Sequence, residues 1–287
     1  MGWSFSGTKG SSLLSILLLT LHPILGVDLS AQELAFPYQV QERDWVWAWA
    51  GGGLAFMGWY LHGEGVGVGM DEIRALDPAS INVFDRGTTQ NWSPTWGHRS
   101  DQFRMVVMGG AALYLGGEGL RAAFDGRADD ALTLGALLGE AALLTAGATY
   151  LTKVMVGRRR PFLYNGELSV EERYQIASSG GDNPTMSFFS GHSSAAFAAA
   201  TFASSVFQDI HGTSAWSNQV WGSTLSLAGL TAYGRVKAGV HFPTDVIVGA
   251  LVGGSIGYLV PRLHHRDERD DPGDVGGGLM LSYSFRF

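Results

Sequence analysis

An all-α fold whose helices are apolar on nearly every side, of the kind that spans a membrane, is predicted by three features of the 287 residues. Charged residues make up only 16% of the chain, apolar residues gather in seven stretches, and many of the 41 glycines lie inside those stretches as well as between them. In a water-soluble helix each interior glycine weakens the element by about 1 kcal/mol against alanine. In a membrane, small residues let helix backbones approach closely. The 19 basic and 26 acidic residues give a formal net charge of -7, which argues against a protein that neutralises nucleic-acid phosphates but leaves room for a local basic site. Cysteine is absent, which excludes disulfides, thiolate nucleophiles and thiolate metal sites.

Taken in order, the first stretch is "SSLLSILLLTLHPILG", preceded by Lys9 and followed by "VDLSAQE". Its length and weakly basic flank predict a signal peptide or an N-terminal anchor over 1–31. No A-x-A cleavage site follows, so both readings stand. Residues 32–103 are expected to hold the first apolar helix, "WVWAWAGGGLAFMGWYL" (45–61), and a connecting loop with short helices. Trp45, Trp47 and Trp49 recur every second residue, a pattern that fits interfacial aromatics and equally a short strand.

Five further stretches follow, at 105–117, 131–152, 193–207, 220–234 and 246–260, each apolar nearly all round. Several fall short of the ~20 residues that a span requires. Glu118, Arg121 and Glu140 lie in or beside two of them, so these helices face a bundle interior or the bundle lies outside lipid. The connection 162–189 is long for a structureless loop, and loops of that length are often functional. In the final part, 263–287, a charged run precedes "GLMLSYSFRF", whose alternation fits an accessory strand or a disordered tail and cannot close a barrel alone.

Three polar clusters sit at helix ends. Lys153 precedes Arg158, Arg159, Arg160 and Pro161; Lys153 and Arg160 are seven residues apart, so both project from one face if the helix continues to Pro161. Such a patch reads as an anion site or as a juxtamembrane basic cluster. Ser190-Gly191-His192 opens the stretch at 193: Ser190 suits an N-cap, Gly191 permits close backbone approach, the helix start favours a phosphate oxygen, and His192 carries a proton near neutral pH. In "GRVKAGVHFPTD", Pro243 is expected to open the last helix and place Asp245 in its first turn. From there Asp245 reaches back to one ring nitrogen of His241 and leaves the other able to attack. Together these groups suffice to bind phosphate oxygens, attack phosphorus with one imidazole and protonate the leaving oxygen with the other. No carboxylate cluster in the sequence points to a magnesium or zinc site, so no cofactor is expected.

The order and spacing Lys153-x6-Arg160-Pro161, Ser190-Gly191-His192 and Arg235-x5-His241-x3-Asp245 resemble the signature of the type 2 phosphatidic acid phosphatase and vanadium-dependent haloperoxidase superfamily. The resemblance implies a six-helix bundle, transmembrane in this chain, with a phosphatase core over 104–262. It implies that His241 is the nucleophile, Asp245 its orienting partner and His192 the general acid, while Lys153, Arg160, Ser190, Gly191 and Arg235 bind phosphate. Two departures occur: Phe189 replaces the family's usual proline and Gly234 its usual serine. Phe188 and Phe189 suit an apolar lip for a substrate tail.

The implied activity is metal-independent hydrolysis of a lipid phosphate monoester or isoprenoid diphosphate through phosphohistidine, with membrane lipid as partner and no nucleic acid. A soluble exported acid phosphatase and a vanadate-dependent haloperoxidase are the alternatives, and a non-enzymatic membrane protein ranks below them. The expected place is the inner membrane of a bacterial cell envelope, with periplasmic and outer-membrane-associated forms as alternatives.

Overall fold

The computed structural model describes residues 36–41, 44–63, 67–179 and 183–266. The expected leader at 1–31 and the alternating segment at 278–287 lie outside the described residues. Within them the chain is all-α, with no strand; the single β-bridge joins Tyr38 to His265.

Six of the nine described α-helices are 20 residues or longer: α1 (Asp44–Gly63), α4 (Pro94–Phe124), α5 (Ala128–Val156), α7 (Gly191–His211), α8 (Ala215–Lys237) and α9 (Pro243–Leu263). The short helices are α2 (Met70–Ala75), α3 (Val83–Arg86) and α6 (Val170–Ser178), joined by single 3-10 turns. The tryptophan alternation therefore lies on a helix, where Trp47 and Trp49 are exposed. The long connection after α5 is occupied by a 3-10 turn at Pro161–Tyr164 and by α6.

Helix ends follow local chemistry. Ser93 caps α4 by accepting from the Trp96 N–H, and Pro94 takes the first turn, where its missing N–H costs nothing. The helix thus starts eleven residues before the apolar stretch at 105, and its polar first turns carry Ser100, Asp101 and Arg104. Ser190 caps α7, Ser214 forms a capping box on α8 with Ser217, and Pro243 opens α9. Helix α5 ends at Gly157, which adopts the left-handed conformation (φ 58°) that favours glycine. This corrects the expectation that the helix runs to Pro161, and it frees Arg158, Arg159 and Arg160 to point in different directions.

Alternation of direction puts every connection that matters at one end. Helix α1 lies parallel to α5, with Gly51 against Leu144 and Gly58 against Tyr150. Helix α9 lies along α7, where Gly249, Gly253 and Gly257 meet the Ser190, Ser194 and Ala198 carbonyls. A Cβ at Gly253 would stand 2.0 Å from the Ser194 oxygen, so no larger residue fits this crossing. The N-termini of α4, α7 and α9 and the C-termini of α5 and α8 accordingly share one end. At the opposite end Tyr38 is fully buried in a cluster with Leu115, Leu137, Phe202, Phe207 and Val260, and its hydroxyl donates to Asp209.

The charges inside apolar helices turn inward and meet histidines. Glu140 is buried 3.3 Å from His264, and Glu118 stands 3.2 Å from His211. Arg121 remains half-exposed beside Asp125. Large apolar side chains face outward on several helices, among them Met105, Leu113, Leu120, Leu132, Leu251 and Leu263. Two segments, Ala128–Tyr164 and Pro243–Leu263, are long and apolar enough to cross a membrane.

Candidate active site

His241 lies just before α9 and is 1% exposed. Its Nε2 is 3.1 Å from Arg160 Nη1. A guanidinium only donates, so Nε2 accepts and the ring proton of the neutral imidazole lies on Nδ1. Nδ1 is 3.5 Å from Asp245 Oδ2 and 3.4 Å from Ser187 Oγ, which itself donates to Asp245 Oδ2. Asp245 is fully buried and also accepts from the Phe242 N–H at 2.9 Å and from Arg158 Nη1 at 2.6 Å. The tautomer that leaves a lone pair on Nε2 is therefore held from both sides of the ring.

Arg158 does not face the anion site. Its second nitrogen, Nη2, donates at 2.8 Å to Asp85, a fully buried residue of α3, and its guanidinium lies 4.0 Å over the Phe242 ring. Asp85 also accepts from the Thr244 N–H, the Thr244 hydroxyl and the Asn82 amide. Burial pushes the Asp85 carboxyl up, but hydrogen bonds from Arg158, Thr244 and Asn82 outweigh it and hold the group below the ordinary carboxylate value. Arg159 turns elsewhere again and pairs with Glu72 of α2.

Of the basic cluster, Lys153 and Arg160 converge. Lys153 Nζ and Arg160 Nη2 both donate to the Met186 carbonyl, at 2.6 Å and 3.4 Å. Arg160 also donates to the Asn183 and Val240 carbonyls, each at 2.7 Å, which fixes its fork across the chain segments that precede α7 and α9. Gly191 lies beside them: a Cβ there would stand 3.3 Å from the Thr149 side chain and 3.9 Å from that of Lys153.

His192, in the first turn of α7, has its Nε2 2.7 Å from Asp101 of α4, and the same Asp101 oxygen is 3.7 Å from Arg235 Nη1. Gly234 lets α4 approach: a Cβ at that position would stand 2.8 Å from Ser100 Cβ. Ser100 donates to the Thr231 carbonyl at 2.9 Å and so fixes the register of Asp101. The departure from serine at position 234 thus makes room for the helix that supplies the partner of His192.

Lys153, Arg160, Gly191, His192 and His241 line one cavity of about 540 Å³. Asp245 and Arg235 stand behind that lining, and Ser190 is fully buried, with its oxygen accepting the Ser193 N–H of the cap. Phe189 is also buried, Phe188 is half-buried, and neither lines the cavity, so the expected apolar lip is not built from them. The apolar wall comes from farther along the bundle: Met108 and Leu115 of α4, Leu138 and Ala142 of α5, and Ala198 and Phe202 of α7. Met108 and Leu138 are partly exposed, so the cavity reaches the surface beside them on α4 and α5.

Asp85, Asp101 and Ser187 escaped the sequence reading. Asp101 carries one local signal, an acid in the polar turns that lead into an apolar run. Asp85 carries none, since its partner Arg158 lies 73 residues away. Among the described residues no group of three or more histidines and carboxylates is placed to hold a metal ion.

Among the described residues the fold and cavity define an all-α arrangement with long helices of membrane-spanning character and two histidines, each beside a carboxylate, in a basic cup. Residues 134–269, a little under half of the chain, match the model of the PAP2 superfamily, and over that span the chain is similar to it. No curated protein and no solved structure gives a significant match. The matched span holds every predicted site residue from Lys153 to Asp245, whereas Asp85, Asp101 and Arg104 lie before it.

Proposed function

We propose that the protein hydrolyses a lipid phosphate monoester or an isoprenoid diphosphate, without a metal, through a phosphohistidine on His241. The observation that carries this reading is one cavity that joins a basic, histidine-bearing end to an apolar stretch reaching the surface at Met108 and Leu138. Lys153 and Arg160 neutralise the phosphoryl oxygens, as preorganised cations do where negative charge develops. The Nε2 lone pair of His241 attacks phosphorus, and the bond from phosphorus to the leaving oxygen breaks.

His192, protonated on both nitrogens, donates one N–H to Asp101 and gives its other proton to the leaving oxygen. Water then attacks the phosphohistidine as His192 takes its proton, and the N–P bond breaks to restore Nε2. Asp245 and Ser187 hold Nδ1 throughout. The apolar tail lies against Met108, Leu138 and Phe202, beside lipid.

Phosphate release from detergent-dispersed phosphatidate, phosphatidylglycerol phosphate and undecaprenyl diphosphate should exceed release from a soluble aryl phosphate by at least about tenfold in kcat/KM, the effect of an apolar contact made only with the tail. Equal kcat/KM on the soluble ester would remove the lipid from the assignment. Asp101→Asn should lower kcat by about 10²-fold, in the range expected of general acid–base catalysis. Its stability should change little, because the Asp101 side chain is 43% exposed. A kcat loss under about threefold would reduce the contact with His192 to packing.

A further inference from the structure

Along α4 the residues that meet the cavity change character turn by turn. Asp101 contacts His192, Arg104 follows three residues later, and Met108, Ala111, Ala112 and Leu115 continue into the apolar groove. Arg104 therefore stands about 4.5 Å farther down the helix than the partner of the proton donor, at the seam between cup and groove. Lys153 and Arg160 are anchored to main-chain carbonyls. The Arg104 Nε, by contrast, is buried and has no hydrogen-bond partner among the described residues. A buried guanidinium nitrogen without a partner is unfavourable, and an anion arriving in the cavity would relieve it.

The geometry of transfer decides which anion. If phosphorus is attacked at His241 Nε2 and the leaving oxygen faces His192, the rest of the leaving group continues into the cavity, whose lining on α4 begins with Arg104. In a prenyl monophosphate the next atom is a carbon of the tail, which carries no charge for a guanidinium to bind. In a diphosphate the leaving group is itself a phosphate. We infer that Arg104 binds the non-transferred phosphate of a diphosphate carrying an apolar chain, so that diphosphates are this protein's preferred substrate class. The inference rests on the phosphoryl transfer proposed at His241. The bond between the terminal phosphorus and the bridging oxygen breaks, the N–P bond forms, and the bridging oxygen leaves on a lipid monophosphate held by Arg104.

The test compares ligands that differ by one phosphate. Farnesyl diphosphate and farnesyl monophosphate are assayed for phosphate release, and the farnesyl methylene-bridged bisphosphonate and farnesyl monophosphonate are titrated calorimetrically, on wild type, Arg104→Gln and Arg104→Lys. Arg104→Gln should weaken the bisphosphonate by about 10- to 100-fold, the range of a lost hydrogen bond to a charged group, with a far smaller loss on the monophosphonate. Arg104→Lys should recover part of that loss, and kcat/KM on the diphosphate should follow the same order.

Equal losses on both ligands, or none on either, would overturn the assignment of Arg104. Wild type that binds the bisphosphonate through Arg104 yet releases no phosphate would instead overturn the hydrolase reading. Thermal unfolding of each variant separates a binding loss from a folding loss.

Discussion

Replacing His241 with alanine should abolish phosphate release while the helices stay folded. Nε2 is the nucleophile in the proposed reaction, and alanine leaves nothing within reach to replace it. The loss in kcat should be about 10⁴-fold or more, the scale seen when a covalent nucleophile is removed. The fold should tolerate the change because Asp245 keeps its bonds from Arg158, Ser187 and the Phe242 N–H. Rapid acid-free quenching with labelled substrate should trap a base-stable, acid-labile phosphoprotein from wild type and none from the variant. Equal turnover by the two proteins would sink the mechanism.

Arg158→Met is expected to cost the most stability. Asp85 and Asp245 are both fully buried, and Arg158 bridges them at 2.8 Å and 2.6 Å. Methionine keeps much of the volume but leaves two carboxylates without their shared cation, a change worth about 3–5 kcal/mol. That is a large fraction of the 5–15 kcal/mol by which a typical domain is stable. Activity should fall as well, since Asp245 loses the Arg158 bond that fixes it beside the His241 ring.

The pH dependence has a definite sign. The folded pKa of Asp85 is depressed, so its contribution is present above the ordinary carboxylate range and is lost as pH falls through the folded value. Thermal unfolding in detergent should therefore separate wild type from Arg158→Met widely at neutral pH and progressively less in acid. Coincident unfolding at neutral pH would show that the bridge contributes nothing. Adding Asp85→Asn to the variant should recover part of the loss, because one of the two stranded charges is gone.

Much of this was legible in the residues themselves. Ser190 and Pro243 start helices where a local reading puts them, because helix starts are set by residues within one turn of each other. Asp245 faces His241 for the same reason, four residues away across one turn. The end of α5 was misread because Pro161 is a visible helix breaker, whereas Gly157 terminates the helix earlier by a left-handed cap that leaves a weaker mark. The start of α4 was misread because its first turns are polar, and apolar periodicity is silent about a helix stretch that meets charged partners.

The sequence by itself determined that the chain is a set of apolar helices, that a basic and histidine-bearing constellation sits at their ends, and which family the stretch from Lys153 to Asp245 resembles. These are properties of short-range periodicity, caps and spacing, which act within a few residues. The tertiary structure alone decided how the four cations from Lys153 to Arg160 are divided. Lys153 and Arg160 face the cavity, Arg159 goes to Glu72, and Arg158 goes to Asp85 and Asp245. It also supplied Asp101 as the partner of His192 across 91 residues. A charge near a helix end takes the partner that burial brings to it, and that partner lies on another helix, fixed by packing that no local pattern encodes.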